Sequence, residues 1–244
     1  MSRPRLALLN AAHEPEETRR NFRRELDADL VEYHLPGGGL PPSLDGLGDV
    51  DGAVVTGSRA SVYWDEDWIE PTKAWIHDAI DRGLPFLGVC YGHQLLADVL
   101  GGTVEPMGEY EIGYRTVERE ADSTLFDGVE ESFTVFTSHS DRVAELPPGA
   151  ERIAGNDYGV HGFRKDRVFG VQFHPEYDME TAAEVTRGKD DQLSDERIEG
   201  VLDGVEPANY RAACEAKRVF DNFVRFVRDV RMPAGGDASA VADD

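Results

Sequence analysis

Residues 85–102 read "PFLGVCYGHQLLADVLGG", and the fold turns on how this stretch is divided. "PFLGV" has the length and composition of a buried strand, and "HQLLADVL" has helical spacing with a stop at Gly101 and Gly102. Between them "GVCYG" (88–92) has the G-x-nucleophile-x-G form of a nucleophile elbow, with cysteine at its centre. Flanking glycines permit a sharp strand-to-helix turn. The helix start favours negative charge on sulfur, and the Tyr91 N–H is aimed where an oxyanion forms. A buried, inert cysteine at a strand end fits the same letters, and the pattern alone leaves the two readings level.

Working outward from the elbow, short apolar strands alternate with helical stretches. "RLALLN" (5–10), "LVEYHL" (30–35) and "GAVVTG" (52–57) read as strands. "EPEETRRNFRREL" reads as a helix with Pro15 in its first turn, and a Gly/Pro-rich loop, "PGGGLPPS", follows the second strand. "DEDWIEPTKAWIHDAIDRG" carries Trp68, Trp75, Ile76 and Ile80 at helical spacing, with Gly83 as its stop. This rhythm predicts an α/β, doubly wound, mostly parallel sheet. From about 103 to 173 the pattern becomes successive strands, "IGYRTVER", "FTVFTS", "RIAGND", "VHGFRK" and "VFGVQF", expected as an antiparallel extension of that sheet. A final helix places Val219, Phe220, Phe223, Val224 and Val227 on one face. The expectation is one domain over 1–232, with a charged helical insertion at 177–210 and a disordered tail at 233–244.

Composition narrows the function classes. The 244 residues hold 25 basic and 48 acidic side chains, a net charge of −23 that repels nucleic acid and anionic membranes. Arginine outnumbers lysine 21 to 4, and 25 of the acids are aspartate, a composition suited to a salt-rich, halophile-like cytoplasm. No apolar run approaches the roughly 18 residues of a membrane span, and "RLALLNAA" is too short for a convincing leader. Two distant cysteines form no disulfide framework, so a reducing, cytoplasmic setting is expected.

A second chemical element lies in "VFGVQFHPEYD" (168–178). An apolar strand is expected to end at His174, since Pro175 cannot continue a central ladder, and ligands gather at the carboxyl ends of parallel strands. Glu176, two residues on, is within reach of the imidazole through a local turn. His174 then serves as general base and acid, and Glu176 fixes its tautomer and supports the imidazolium.

Together, "GVCYGHQLLADVLGG", "VFTSHSDRV" and "GVQFHPE", with "VVTGS" upstream, resemble the class I (triad-type) glutamine amidotransferases, in particular the glutamine-hydrolysing domain of GMP synthase and its stand-alone relatives. The resemblance spans roughly residues 50–177 and implies a flavodoxin-like fold with a catalytic triad of Cys90, His174 and Glu176. Three motifs in register are far more specific than any one, and with them the inert reading of Cys90 recedes. The resemblance further implies an oxyanion hole from the backbone of Gly57, Ser58 and Tyr91. It implies substrate contacts at Gln94 and in "SHSD" (138–141), read as a loop, with Ser140 and Asp141 facing the amino-acid end of the substrate and Asp141 answering its ammonium. His139 is expected to serve loop structure.

Two departures stand out. Thr56-Gly57-Ser58-Arg59 occupies the place where many relatives show Ser-Gly-Gly-Pro, so Ser58 restricts the backbone and Arg59 adds a charge at the pocket mouth. Arg59 reads either as an exposed loop residue or as a contact for a substrate carboxylate. The insertion "TAAEVTRGKDDQLSDERIEGVLDGV" reads as a solvated helical pair, or as an element that docks a partner or shapes the entrance. Cys214 is expected to be structural. Neither a phosphate-binding loop, nor a Ser-Gly-Gly-x-Asp-Ser nucleotide motif, nor zinc spacing is present, so no metal or organic cofactor is expected. The expected activity is glutamine hydrolysis with ammonia passed to a separate synthetase. The same triad also suits a γ-glutamyl peptide hydrolase. A non-catalytic regulatory protein on the same fold is a third reading, opposed by the intact triad. Homo-oligomerisation stays open.

Overall fold

A computed structural model describes residues 3–46 and 48–231. The parallel half of the sheet is built from β1 (Arg5–Asn10), β2 (Asp29–His34), β3 (Gly52–Val55), β4 (Phe86–Val89) and β9 (Val168–Val171). The antiparallel half comprises β5 (Thr103–Arg119), β6 (Ser132–Glu145), β7 (Glu151–Asn156) and β8 (Gly159–Lys165). All nine form one sheet in the order β2-β1-β3-β4-β9-β8-β7-β5-β6. The seam is β9, parallel to β4 on one side and antiparallel to β8 on the other.

Side-chain alternation along the strands sorts the core into two layers. Leu6 and Leu8 of β1 join Phe22 of α1 (Pro15–Glu25) and the apolar face of α7 (Arg218–Arg231). Ala7 and Leu9 join the opposite layer, with Ile69 and Ile76 of α2 (Ile69–Asp81) and Leu95 and Leu96 of α3 (Tyr91–Val99). The five α7 residues assigned to one face by periodicity are all buried. Among the described residues, no helix is long and apolar enough to cross a membrane.

Three expectations need correction. Ser138–Asp141 lie inside β6 rather than in a loop, because β5 and β6 pair as a long ribbon on both sides of a register shift. β9 stops at Val171, short of His174, because the chain leaves the ladder there: Gln172 N donates to His161 O and His174 N to Phe136 O at 2.8 Å. The insertion holds the expected pair of helices, α4 (Met179–Arg187) and α5 (Asp195–Asp203), and α6 (Pro207–Ala213) straddles its far boundary at 210. It is not merely solvated, since Ala182 packs with Ile112 and Phe136, and Thr181 accepts a hydrogen bond from Asn21 of α1. Cys214 is half-buried and unbonded to another cysteine. The expected tail at 233–244 lies outside the described residues.

The elbow between β4 and α3 rests on close backbone approach. A Cβ on Gly92 would run into the Val55 carbonyl of β3, and one on Gly88 into the Gly92 carbonyl. Gly200, within α5, has open space around it. Gly92→Ala is therefore expected to cost about 1–3 kcal/mol or more through forced backbone shifts. Gly200→Ala should instead stabilise by about 0.5–1 kcal/mol through helix propensity. Denaturant unfolding of both variants checks the contrast; equal effects would contradict the packing described.

Candidate active site

Cys90 sits on the elbow with φ 53° and ψ −104°, in left-handed territory that a non-glycine residue enters only under constraint. Its N–H donates to Val171 O at 2.9 Å, tying the turn to the end of β9. Its thiol faces the Ser138 carbonyl at 3.8 Å. Tyr91 opens α3, so its N–H has no acceptor within the helix.

His174 reaches the same point from the other side of the seam. Its Nδ1–H donates to Glu176 Oε1 at 2.8 Å, and its ring stacks on Tyr177 with centroids 4.1 Å apart and planes at 13°. Gly57 touches the edge of the imidazole: a Cβ there would lie 2.9 Å from His174 Cε1 and 3.8 Å from Cys90 Cβ. Burial opposes charge on His174, but the Cys90 sulfur and the Glu176 carboxylate outweigh it and push its pKa up to about 10.

A cavity of about 220 Å³ opens on these groups, and every residue assigned to the site from sequence except Tyr91 lines it. Gln94 Nε2 donates to Asp141 O at 3.0 Å and to Gln172 Oε1 at 3.1 Å. The Asp141 carboxylate accepts from Ser61 Oγ at 2.5 Å and Tyr63 Oη at 3.1 Å, holding the segment after β3 against β6. Ser140 is exposed at the rim. Ser58 has no positive φ, so the residue replacing glycine there is not strained, and its Oγ accepts from Ala60 N.

Sequence reasoning missed a buried cluster behind this wall. Glu111 Oε2 lies 2.6 Å from His139 Nε2 and 3.1 Å from His161 Nε2, while Glu111 Oε1 accepts from Asn156 Nδ2 at 2.7 Å. His139 Nδ1 donates to Asp141 O at 2.9 Å, so both nitrogens of His139 face acceptors. His139 thus belongs to a buried strand network rather than to a loop. The three ligand-type atoms lie within 4.8 Å of one another, a metal-like grouping whose members are engaged with each other. Burial favours the neutral acid, but the two histidines prevail and hold Glu111 below its usual range. The members lie on three strands, so no local spacing announces them; Tyr177 and Lys189, which also line the cavity, carry no motif either.

A cysteine on a strained elbow and a carboxylate-supported histidine beside it form an arrangement that can carry acyl transfer on an α/β sheet. Residues 40–188 match the family model described as glutamine amidotransferase class-I, and the chain belongs to that family. It is 42% identical over 126 residues to the GMP synthase [glutamine-hydrolyzing] of Thermomicrobium roseum, covering 51% of this chain and 23% of that protein. The GMP synthase [glutamine-hydrolyzing] of Helicobacter pylori is 40% identical over 126 residues, covering 51% of this chain and 24% of that protein. These matches therefore span about a quarter of each relative. A glutamine amidotransferase from Thermotoga maritima superposes with TM-score 0.75 at 23% identity, over 92% of this chain and 99% of that one. One from Methylobacillus flagellatus gives 0.72 at 18% identity, over 99% and 100%. At these identities the two structures speak to the fold.

Two outcomes test the electrostatics. Glu111→Gln breaks a buried ionic network and is expected to cost about 3–5 kcal/mol. Because Glu111 is held below the ordinary glutamate value of 4.5, its contribution is present above that pH and lost as pH falls, so the variant should show a flatter acid-unfolding profile. Glu176→Gln removes an anion that raises His174. The stabilisation from charged His174 is complete below the ordinary histidine value of 6.5 and lost as pH rises through about 10. The stability gap between wild type and Glu176→Gln should therefore close toward alkaline pH; a pH-independent gap contradicts this.

Proposed function

We propose that this protein, as a single amidotransferase unit over 1–232, hydrolyses the side-chain amide of glutamine and supplies ammonia to a separate synthetase in the cytoplasm. The observation that carries this reading is His174, held between the Cys90 sulfur and the Glu176 carboxylate with its pKa pushed up to about 10. A charged imidazole beside the sulfur stabilises the negative charge that amide attack develops there. The GMP synthase relatives, named as glutamine-hydrolysing, support the substrate class and the pairing with a synthetase.

In this mechanism the Cys90 thiolate attacks the amide carbon, and the carbonyl oxygen becomes an oxyanion facing the backbone N–H groups of Tyr91 and of Gly57–Ser58. Each such donor is worth about 2.7–4 kcal/mol in the transition state. His174 passes its proton to the departing nitrogen as the C–N bond breaks, releasing ammonia and leaving a γ-glutamyl thioester. The neutral imidazole then takes a proton from water, the resulting hydroxide displaces sulfur, and glutamate leaves with the thiolate–imidazolium pair restored. Glu176 keeps Nδ1 protonated throughout. Gln94, Ser140 and Asp141 seat the substrate.

The test measures ammonia and glutamate release from glutamine, alone and with an ammonia-accepting synthetase added. Cys90→Ala and His174→Asn are each expected to lower turnover by about 10⁴-fold or more. Turnover of γ-glutamyl peptides with none of glutamine would replace this reading with a peptide hydrolase. Activity that survives Cys90→Ala would overturn both.

A further inference from the structure

Two cations in the cavity have no part in the chemistry above. Lys189, just past α4, is 7% exposed and is the only buried lysine or arginine among the described residues. Its ammonium makes no hydrogen bond or ion pair with the described residues and lies 5.1 Å from the centroid of the Tyr110 ring. The Arg59 guanidinium rests against Gly188, 3.1 Å from where a Cβ would stand, and likewise has no carboxylate within ion-pair distance among the described residues. Both side chains line the cavity that holds Cys90. Burial, and then the like charge of Arg59, lower the pKa of Lys189, while Cys90 and the exposed Asp191 act in the opposite sense.

Holding a lysine stem buried with no carboxylate beside it is costly, and the like charge of the exposed Arg59 at the same wall adds repulsion. A chain with 48 acidic residues has no shortage of partners, and Arg19, Arg24 and Lys217 each have one. Glu17 also lines the cavity, but near Thr181 in the first turn of α4, whereas these cations gather at the end of that helix.

We infer that Arg59 and Lys189 bind a carboxylate of the amide substrate, remote from the amide that is cut, and restrict the site to donors that carry one there. The inference rests on the amide-hydrolase reading and specifies its substrate class. The guanidinium offers a planar fork and the ammonium a point charge, which suits one carboxylate shared between them. That carboxylate is either the α-carboxylate of glutamine or the terminal carboxylate of a γ-glutamyl amino acid.

Calorimetric titration separates binding from turnover and uses the full chain carrying Cys90→Ala. The probes are L-glutamine, L-glutaminamide, γ-glutamylglycine and γ-glutamylglycinamide. One acid is expected to bind about tenfold or more tighter than its amide, a difference proper to a charged hydrogen bond. Lys189→Met and Arg59→Gln, each added to Cys90→Ala, should erase that difference by weakening the acid alone, and Lys189→Arg should restore most of it. The acid–amide pair that responds identifies the source of the carboxylate. Equal affinity for acids and amides, equal losses on both, or binding of none of the four overturns the inference. Cys90-dependent turnover without carboxylate discrimination defeats it alone, whereas carboxylate-dependent binding without turnover defeats the hydrolase reading alone.

Discussion

The close approach of Gly92 to the Val55 carbonyl is the contact on which the site depends. It brings the start of α3 down onto β3, which a side chain at 92 would prevent. With that distance fixed, Cys90 has to turn through a left-handed conformation to join strand and helix. The same approach brings the turn beside Gly57, whose missing side chain leaves room for the imidazole. A backbone constraint thus sets the geometry before any polar interaction adds to it.

Two buried glutamate–histidine couples then divide the polar work. Glu176 and His174 face the cavity, and the sulfur of Cys90 joins them on the reactive side. Glu111 with His139 and His161 lies behind the wall, where three strands contribute to one network. The second couple holds the Asp141 carbonyl in place through His139, and that carbonyl also takes the Gln94 amide. The cavity-facing and supporting layers share the same side-chain chemistry and differ in what they face.

The parallel half of the fold was legible because its elements are local: alternating apolar strands, a proline at a helix start, a glycine-bracketed elbow. Cys90, His174 and Glu176, which the structure brings to one cavity, stood out through position, at a strand-to-helix turn and beyond a strand end. The Ser138–Asp141 stretch was misjudged because its polar letters look like a loop, while pairing with β5 and burial of His139 make it strand. The Glu111 cluster was invisible because a network across three strands has no linear spacing. The insertion looked solvated because its charges mask the few apolar residues, such as Ala182 and Val201, that attach it to the sheet.

The seam at β9 has a consequence for how the chain acquires reactivity. The elbow lies between adjacent elements, but His174 and Glu176 arrive only after four intervening antiparallel strands, when β9 inserts between β4 and β8. Pairings of that sequence separation form late, since loop closure precedes their reward. A growing or partly folded chain therefore carries the cysteine without its imidazole. Cys90 meets His174 only when the last central strand closes the sheet, so completing the fold and completing the cavity wall are one event.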